Sequence, residues 1–286
     1  MSIDLRADRD SFRSLPEIVR YSHASAYHTI TVVDVGYRRI LSFERNRQSS
    51  MYLDDPFETD FEYPDFFHLA LAIQPAAMRT LVIGLGGGSV VKRMWRDYPE
   101  MCVDAVELDP EVIDVARRFF SLPDDPRIRV IVADGRTFVE TAPDTYDIVI
   151  VDAFDDDRIP PPLTTEQFMR AVRDHLSEDG VVAYNVIGSI SGDHSRLFRS
   201  LHRTLSNTWR NVWVFNADES VDAKGNNLVV FASDAALSET DVRERIRNRV
   251  DGRVSVTAFH LFGENLYDGP IRTGDVPILS DPSSGR

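Results

Sequence analysis

The chain has 286 residues, of which 43% are hydrophobic and 27% charged, the composition of an ordinary globular protein. No stretch reaches the ~20 consecutive apolar residues that span a bilayer, and the first ten residues are charged and polar, so we expect a cytoplasmic protein without membrane contact. The net charge of −14 argues against nucleic acid as a partner, because phosphates are bound by a basic face.

The first 75 residues are predicted to form a small β-element. Residues 1–20 show no regular pattern, whereas residues 27–35 and 37–45 alternate as strands do, and residues 48–55 have the character of a third short strand. Three short strands are too few to be stable alone. We therefore expect this element, residues 1–75, to pack on the rest of the chain or on a second subunit.

From about residue 76, apolar strands alternate with amphipathic helices, which predicts a parallel sheet covered by helices on both faces. The last two strands have no helix between them and should form an antiparallel hairpin. This ending favours an α/β, seven-stranded Rossmann-like sheet of the class I methyltransferase type, with residues 76–286 as one nucleoside-binding catalytic domain. The predicted strands are 79–85, 102–109, 128–134, 146–154, 180–188, 211–218 and 226–234.

Cys102, the single cysteine, lies at the start of the second of these strands. One cysteine excludes an internal disulfide framework and a zinc cluster built from cysteines. Its position in an apolar strand predicts a buried structural thiol. We expect neither a metal site nor a tightly bound cofactor.

A glycine run follows the first strand of the predicted sheet. In such sheets ligands bind beyond the carboxyl ends of the strands, where the strand order reverses. Gly84, Gly86 and Gly88 permit a tight turn and close backbone contact with a nucleoside. A plain turn is the alternative interpretation, since a lone Gly-x-Gly pattern is a weak signal.

Acids follow the second and third strands. Glu107 comes 19 residues after Gly88, where a carboxylate can accept hydrogen bonds from both hydroxyls of a ribose; the alternative is a solvated surface acid. Asp134, with Gly135, starts a helix at the third strand end. Its carboxylate can accept a hydrogen bond from an adenine amino group, or it can serve as a helix cap.

Four acids mark the end of the fourth strand. Asp152 ends that strand, and Asp155, Asp156 and Asp157 follow it. A carboxylate cluster over a pocket can hold an ammonium group and accept its proton. We interpret Asp152 as functional because of its place at the strand end, and Asp156 and Asp157 as part of a solvated loop.

Together these segments resemble the spermidine synthase family of polyamine aminopropyltransferases. The resemblance covers roughly residues 25–233. It places Gln48, in "RQSSMYLDD", at a substrate contact, and Tyr63, in "EYPDFFHLAL", at the family's tyrosine. A generic methyltransferase usually carries an acid two residues before its first glycine, where this chain has Val82. The segments that follow the family's order and spacing are "VELDPEVIDVARRFF", "DDPRIRVIVADGRTFV" and "YDIVIVDAFDDD".

The resemblance implies an aminopropyl donor, decarboxylated S-adenosylmethionine, and an acceptor amine such as putrescine, with methylthioadenosine as the leaving product. It implies that Glu107 holds the ribose and Asp134 the adenine. Asp152 would act as the base, and Asp155 and Tyr63 would hold the acceptor amine. Homodimers or homotetramers are usual in the family.

The glycine loop departs from the family pattern, which is Gly-Gly-Gly-Asp-Gly-Gly. Gly87 stands where the family has the aspartate that binds the donor's amine, a charge-assisted contact worth ~1.5–3 kcal/mol. Two alternatives to aminopropyl transfer therefore stay open: an S-adenosylmethionine-dependent methyltransferase and a non-catalytic nucleoside-binding homologue. An NAD-dependent dehydrogenase shares the loop and the acid, but the later Asp-Gly and Asp-x-x-Asp segments do not suit it.

Overall fold

A computed structural model describes residues 16–155, 158–217, 226–248 and 259–282 of the chain. Asp156 and Asp157, interpreted above as part of a solvated loop, lie outside the described residues. So do residues 1–15, most of the segment for which the sequence shows no regular pattern.

The N-terminal element is an antiparallel sheet of four strands in chain order, one more than predicted. The unpredicted strand begins at Glu17, so the expectation of irregular structure up to residue 20 is wrong for its last residues. Seven of its eight side chains are exposed, so it forms by main-chain pairing with its neighbour and carries no alternation of buried side chains. The strands are β1 (Glu17–Ala24), β2 (Thr29–Val35), β3 (Arg38–Phe43) and β4 (Asn46–Tyr52).

This sheet packs on helix α4 (Pro110–Phe119) of the larger part of the chain. Ile30 and Leu41 belong to one apolar cluster with Val112 and Val115 of the helix. The Arg39 side chain adds a hydrogen bond, with its Nη1 donating to the Phe119 carbonyl at 2.9 Å. The predicted boundary at residues 75 and 76 falls in the connection that precedes the main sheet, and the division into two domains stays a prediction.

The main sheet has seven strands in the order β10-β11-β9-β8-β5-β6-β7. Neighbours from β5 to β9 are parallel, and β11 runs antiparallel to both β9 and β10. The predicted terminal hairpin and the class I methyltransferase-type sheet are therefore confirmed. The strands are β5 (Arg79–Ile83), β6 (Cys102–Glu107), β7 (Ile128–Val132), β8 (Tyr146–Val151), β9 (Leu176–Gly188), β10 (Asn211–Asn216) and β11 (Asn226–Ser233).

Helices cover the sheet, and their starts follow the capping rules. Asp109 accepts a hydrogen bond from the Glu111 amide at the start of α4, and Thr165 caps α6 (Glu166–Asp174) by accepting from the Phe168 amide. The last helix was not predicted from the sequence. The remaining helices are α1 (Tyr63–Phe66), α2 (Ala70–Ile73), α3 (Ser89–Asp97), α5 (Gly135–Thr141), α6 (Glu166–Asp174), α7 (Arg196–Thr208) and α8 (Glu239–Asn248).

Cys102 is exposed, so the prediction of a buried thiol is wrong. It is the first residue of β6, and only the strand's later residues enter the core. Within the described ranges, no helix is long and apolar enough to cross a bilayer. The same ranges hold no group of three or more His, Cys, Asp or Glu side chains that would suit a metal ion.

Candidate active site

A cleft lies at the carboxyl ends of β5, β6 and β8, where the strand order of the main sheet reverses, and the N-terminal sheet forms its other side. Parallel strands end at one edge of a sheet, so the residues that follow them in the sequence meet there. Eight of the ten predicted site residues line this cleft: Gln48, Tyr63, Gly84, Gly86, Glu107, Asp134, Gly135 and Asp152.

The glycine loop is shaped by its close approach to β8. Gly84 has a φ of +94°, and a Cβ at this position would lie 2.3 Å from the Asp152 carbonyl oxygen. Both conditions exclude any other residue. Gly88 also has a positive φ, +75°, and precedes α3 behind the cleft lining. The glycine loop therefore packs against the end of β8 and also lines the cleft.

Glu107 is held by the backbone around it. One carboxylate oxygen accepts a hydrogen bond from the Leu85 amide at 2.9 Å, and the other accepts from the Asp109 amide at 3.0 Å. Burial raises the pKa of Glu107, and these backbone donors act against that rise. An ionised carboxylate has about four acceptor sites, so both oxygens remain able to accept from a ligand.

Asp134 is a helix cap. Its Oδ1 accepts from the Thr137 amide at 2.8 Å and from the Thr137 hydroxyl at 2.9 Å. The capping interpretation is therefore right for this oxygen, while the residue also lines the cleft. Next to it, a Cβ on Gly135 would lie 2.5 Å from Ile83 Cγ2, so glycine permits α5 to approach β5 closely.

Asp152 is held by two neutral donors. The Tyr63 hydroxyl donates to Oδ2 at 3.2 Å, and the Asn185 amide donates to Oδ1 at 3.0 Å. Burial raises the pKa of Asp152 to about 6, and the two hydrogen bonds act against that rise. Burial and the adjoining carboxylate raise the pKa of Tyr63 well above its usual value, so the phenol stays protonated as a donor.

Asn185 is a site residue that sequence reasoning missed. It lies on β9 and is 2% exposed. The available signal was a lone amide inside the apolar run "GVVAYNVIG", which pairs with β8, the strand directly before Asp152. A buried amide requires hydrogen-bond partners, and the strand pairing supplies one.

Asp155 and Gly88 are the predicted site residues outside the cleft lining. Asp155 is exposed, and its backbone pairs with Arg158, with N···O distances of 2.8 and 3.2 Å. The role of Asp155 in holding an acceptor amine stays a prediction.

Gly87 is buried behind the cleft. Its φ is not positive, but a Cβ here would lie 2.8 Å from Ser49 Oγ and 2.9 Å from Phe120 Cδ1. A side chain at this position therefore meets a steric obstacle from β4 and from the end of α4. The glycine contributes close packing of the N-terminal sheet against the glycine loop.

The N-terminal sheet adds an aromatic pair to the cleft, which the sequence did not reveal. The rings of His28 and Phe43 stack at a centroid distance of 4.4 Å, and both line the cleft. Their contribution depends on how one sheet packs on the other, which no local pattern predicts. Leu108, Phe154 and Leu163 supply apolar surface at the main-sheet side.

Residues 61–215, more than half of the chain, match the Spermine/spermidine synthase domain family. The chain belongs to this family. The resemblance seen in the sequence is thereby confirmed, and relatives in this family carry the name polyamine aminopropyltransferase.

Relatives of known name cover different shares of the chain. A probable polyamine aminopropyl transferase of Bifidobacterium longum is 30% identical over 199 residues, 69% of this chain and 44% of the relative. The polyamine aminopropyltransferase of Vibrio vulnificus is 32% identical over 59% of each chain. That of Neisseria meningitidis is 32% identical over 71% of this chain and 74% of the relative. This chain therefore spans less than two thirds of the length of the first two.

Solved structures share the fold. A probable spermidine synthase from Corynebacterium glutamicum superimposes with a TM-score of 0.69 at 21% identity, covering 80% of this chain and 87% of the other. Spermidine synthase from Thermotoga maritima gives 0.67 at 22% identity, covering 80% and 78%. Human methyltransferase-like protein 13, in complex with SAH, gives 0.56 at 24%, covering 64% and 88%. At these identities the likeness shows the fold alone, and it agrees with the predicted class.

Proposed function

We propose that this protein is an aminopropyltransferase that uses decarboxylated S-adenosylmethionine as donor and a polyamine as acceptor. The observation that carries the proposal is Asp152, a half-buried carboxylate at the transfer end of the cleft, held by Tyr63 and Asn185. Among the described residues it forms no ion pair. Relatives in the family carry the name polyamine aminopropyltransferase, which supports the same reaction class.

The reaction needs a base because an amine attacks only when it is neutral. In the proposed step, Asp152 first binds the acceptor ammonium and then takes or relays its proton. The freed nitrogen attacks the carbon next to the sulfonium, the C–N bond forms, and the C–S electron pair moves onto sulfur to give methylthioadenosine. Alignment of these atoms supplies much of the rate acceleration. A pKa of about 6 makes Asp152 a stronger base than an ordinary carboxylate.

The nucleoside is proposed to bind at the end of the cleft that carries Glu107 and Asp134, away from Asp152. The oxygens of Glu107 would accept hydrogen bonds from the two ribose hydroxyls, and the free oxygen of Asp134 would accept from the adenine amino group. Leu108 and Leu163 offer apolar surface for the base. Gln48 and Asp155 are proposed contacts of the donor arm and of the acceptor amine. The adenosine compound is a co-substrate, so no tightly bound cofactor is required.

One observation favours a second candidate, S-adenosylmethionine-dependent methyl transfer. Gly87 stands where the family pattern has a carboxylate for the donor amine. S-adenosylmethionine keeps its own carboxylate, and with glycine at this position that carboxylate meets no like charge. The aminopropyl reaction remains the better supported of the two because the methyl-transfer candidate gives Asp152 no necessary role.

The test is a product assay with both donors. Purified protein is incubated with putrescine and either decarboxylated S-adenosylmethionine or S-adenosylmethionine, and the products are identified by mass spectrometry. We expect methylthioadenosine and spermidine from the decarboxylated donor. S-adenosylhomocysteine from the second donor would identify a methyltransferase instead. Binding of methylthioadenosine in calorimetry without any product would identify a non-catalytic homologue.

A cytoplasmic location and assembly into a homodimer or homotetramer are further proposals, supported by what is usual in the family. The described residues leave the outer edge of β1 without a neighbouring strand, which is compatible with a contact between subunits. Light scattering coupled to size-exclusion chromatography measures the assembly directly.

A further inference from the structure

The C-terminal strap, defined here as residues 272–281, runs across helices α7 and α6 and ends beside the cleft. Arg199 of α7 donates to the Arg272 carbonyl at 2.9 Å. Further along, the Leu279 carbonyl accepts from the Glu166 amide at 2.8 Å, at the start of α6. The strap contains no helix or strand, so these side-chain and main-chain contacts determine its course.

The strap ends in a two-point ion pair with Arg136. Both carboxylate oxygens of Asp281 accept from the guanidinium, Nη1 to Oδ1 and Nη2 to Oδ2, each at 2.6 Å. The same Nη1 donates to the Pro162 carbonyl at 3.2 Å and to the Thr165 hydroxyl at 3.1 Å. A planar guanidinium fixed by a carboxylate has little freedom left. A second carboxylate, Glu140 of the same helix, accepts from Nε at 2.8 Å. Asp281 binds both Nη atoms and therefore orients the donors that hold Pro162 and Thr165.

Those two residues bound a wall of the cleft. Pro160, Pro162 and Leu163 all line it, at the side that also carries Asp134. From the sheet side, the Tyr184 hydroxyl donates to the Leu163 carbonyl at 3.0 Å. From the outer side, the Arg136 guanidinium donates to the Pro162 carbonyl and the Thr165 hydroxyl. The cleft wall, residues 160–165, is thus held between β9 and the strap.

We infer that Asp281 and Arg136 are positioning residues for the nucleoside, and that the C-terminal strap fixes the wall against which the base binds. The inference rests on the proposed nucleoside subsite. Neither residue lines the cleft, so each acts through the wall. The strap supplies its own control, because Asp275 forms a one-point ion pair with Arg199 on α7, a helix that contributes no residue to the wall.

The binding test compares Asp281→Asn with Asp275→Asn, with methylthioadenosine as the calorimetric probe. We expect Asp281→Asn to raise the Kd about tenfold, which corresponds to about 1.4 kcal/mol, and Asp275→Asn to change it less than twofold. In the assay with the decarboxylated donor, Asp281→Asn should raise the donor KM and leave kcat nearly unchanged, because Asp152, Tyr63 and Asn185 do not touch the strap. A general loss of stability would not raise the donor KM while leaving kcat unchanged.

Amide hydrogen exchange without ligand tests the same inference independently of the proposed function. The Leu163 and Thr164 amides donate to Pro160 and Pro161 carbonyls at 2.9 and 3.0 Å within the wall. We expect them to exchange several-fold faster in Asp281→Asn and unchanged in Asp275→Asn. If the two variants change the exchange rates equally, or if neither changes them, the inference is wrong. The proposed subsite would still stand in that case, provided that the wild-type protein binds methylthioadenosine. A wild-type protein that does not bind methylthioadenosine would overturn both.

Discussion

The two ends of the cleft hold their carboxylates in different ways. At the proposed nucleoside end, the carboxylates accept hydrogen bonds from backbone amides. Glu107 accepts from Asp109, two residues away, and from Leu85 in the glycine loop. Asp134 accepts from Thr137, three residues away. At the transfer end, Asp152 accepts from side chains that lie 89 and 33 positions away in sequence. The first arrangement uses backbone amides of the turns that follow β5, β6 and β7, whereas the second uses side chains and exists only when α1, β8 and β9 have packed together.

In the proposed reaction, this difference separates recognition of the nucleoside from the chemistry of transfer. A carboxylate held by backbone amides is a rigid acceptor, suited to ribose hydroxyls and an amino group. A carboxylate held by one phenol and one amide, with its pKa raised to about 6 by burial, can change its protonation state near neutral pH. The nucleoside end should therefore control affinity, and the transfer end should control turnover.

The largest expected effect comes from Asp152→Asn, which keeps the shape and removes the base. Turnover should fall about 100-fold or more, the lower range for general-base catalysis, with little change in affinity for methylthioadenosine. Steady-state kinetics and calorimetry measure the two quantities separately. Turnover near the wild-type value would remove Asp152 from the mechanism.

Stability provides a control on the same variant. Burial raises the pKa of Asp152, so the folded state binds a proton more readily than the unfolded chain, and the ionised carboxylate destabilises the fold as pH rises through about 6. Asn carries no such cost. Denaturant unfolding should therefore show Asp152→Asn more stable than wild type at pH 7–8, by on the order of 1–2 kcal/mol, with the difference vanishing below about pH 4.

At the nucleoside end, Glu107→Gln should weaken methylthioadenosine binding by about 1–3 kcal/mol, or tens of fold, because a charged acceptor is lost. The kcat with saturating donor should change much less. Gln also offers only one carbonyl oxygen to the amides of Leu85 and Asp109, so the glycine loop loses a contact. Unchanged affinity in the folded variant would place the nucleoside elsewhere.

Local pattern predicted most of the residues that line the cleft at the ends of the strands. The order of strands and helices, the terminal hairpin and the acids at the strand ends all followed from hydrophobic periodicity and turn chemistry. What local pattern missed depends on distant packing: Asn185 beneath Asp152, and His28 and Phe43 from the N-terminal sheet. Strand β1 was missed because seven of its eight side chains are exposed, which leaves no periodic signal.

Tyr63→Phe probes the side chains that tune the transfer end. For the wild type we expect kcat/KM to fall about tenfold per pH unit below about pH 6, as Asp152 takes up its proton. Removing the phenol removes a hydrogen bond that favours the ionised carboxylate, so the pKa of Asp152 should rise and the acid limb should move to higher pH. A rise of about one pKa unit lowers the ionised fraction about tenfold near pH 5 and less at higher pH. Asn185→Leu should shift the limb in the same direction, and a limb that stays in place in both variants contradicts the assignment.

The smallest expected effect concerns Gly87, where the family pattern has a carboxylate. An aspartate there should favour decarboxylated S-adenosylmethionine and disfavour S-adenosylmethionine, changing the ratio of their Kd values about fivefold, because a cationic arm gains a charged partner and a carboxylate meets a like charge. Two atoms obstruct the new Cβ, Ser49 Oγ at 2.8 Å and Phe120 Cδ1 at 2.9 Å. The comparison is therefore best made in a Ser49→Ala background, which relieves the first obstacle, with circular dichroism checking that the fold accommodates the second. The matched control is Gly87→Asn, of similar shape and without charge. If calorimetry ranks the two donors identically in both variants, charge at this position does not set donor choice. Gly87 would then serve only the close packing of the glycine loop against Phe120.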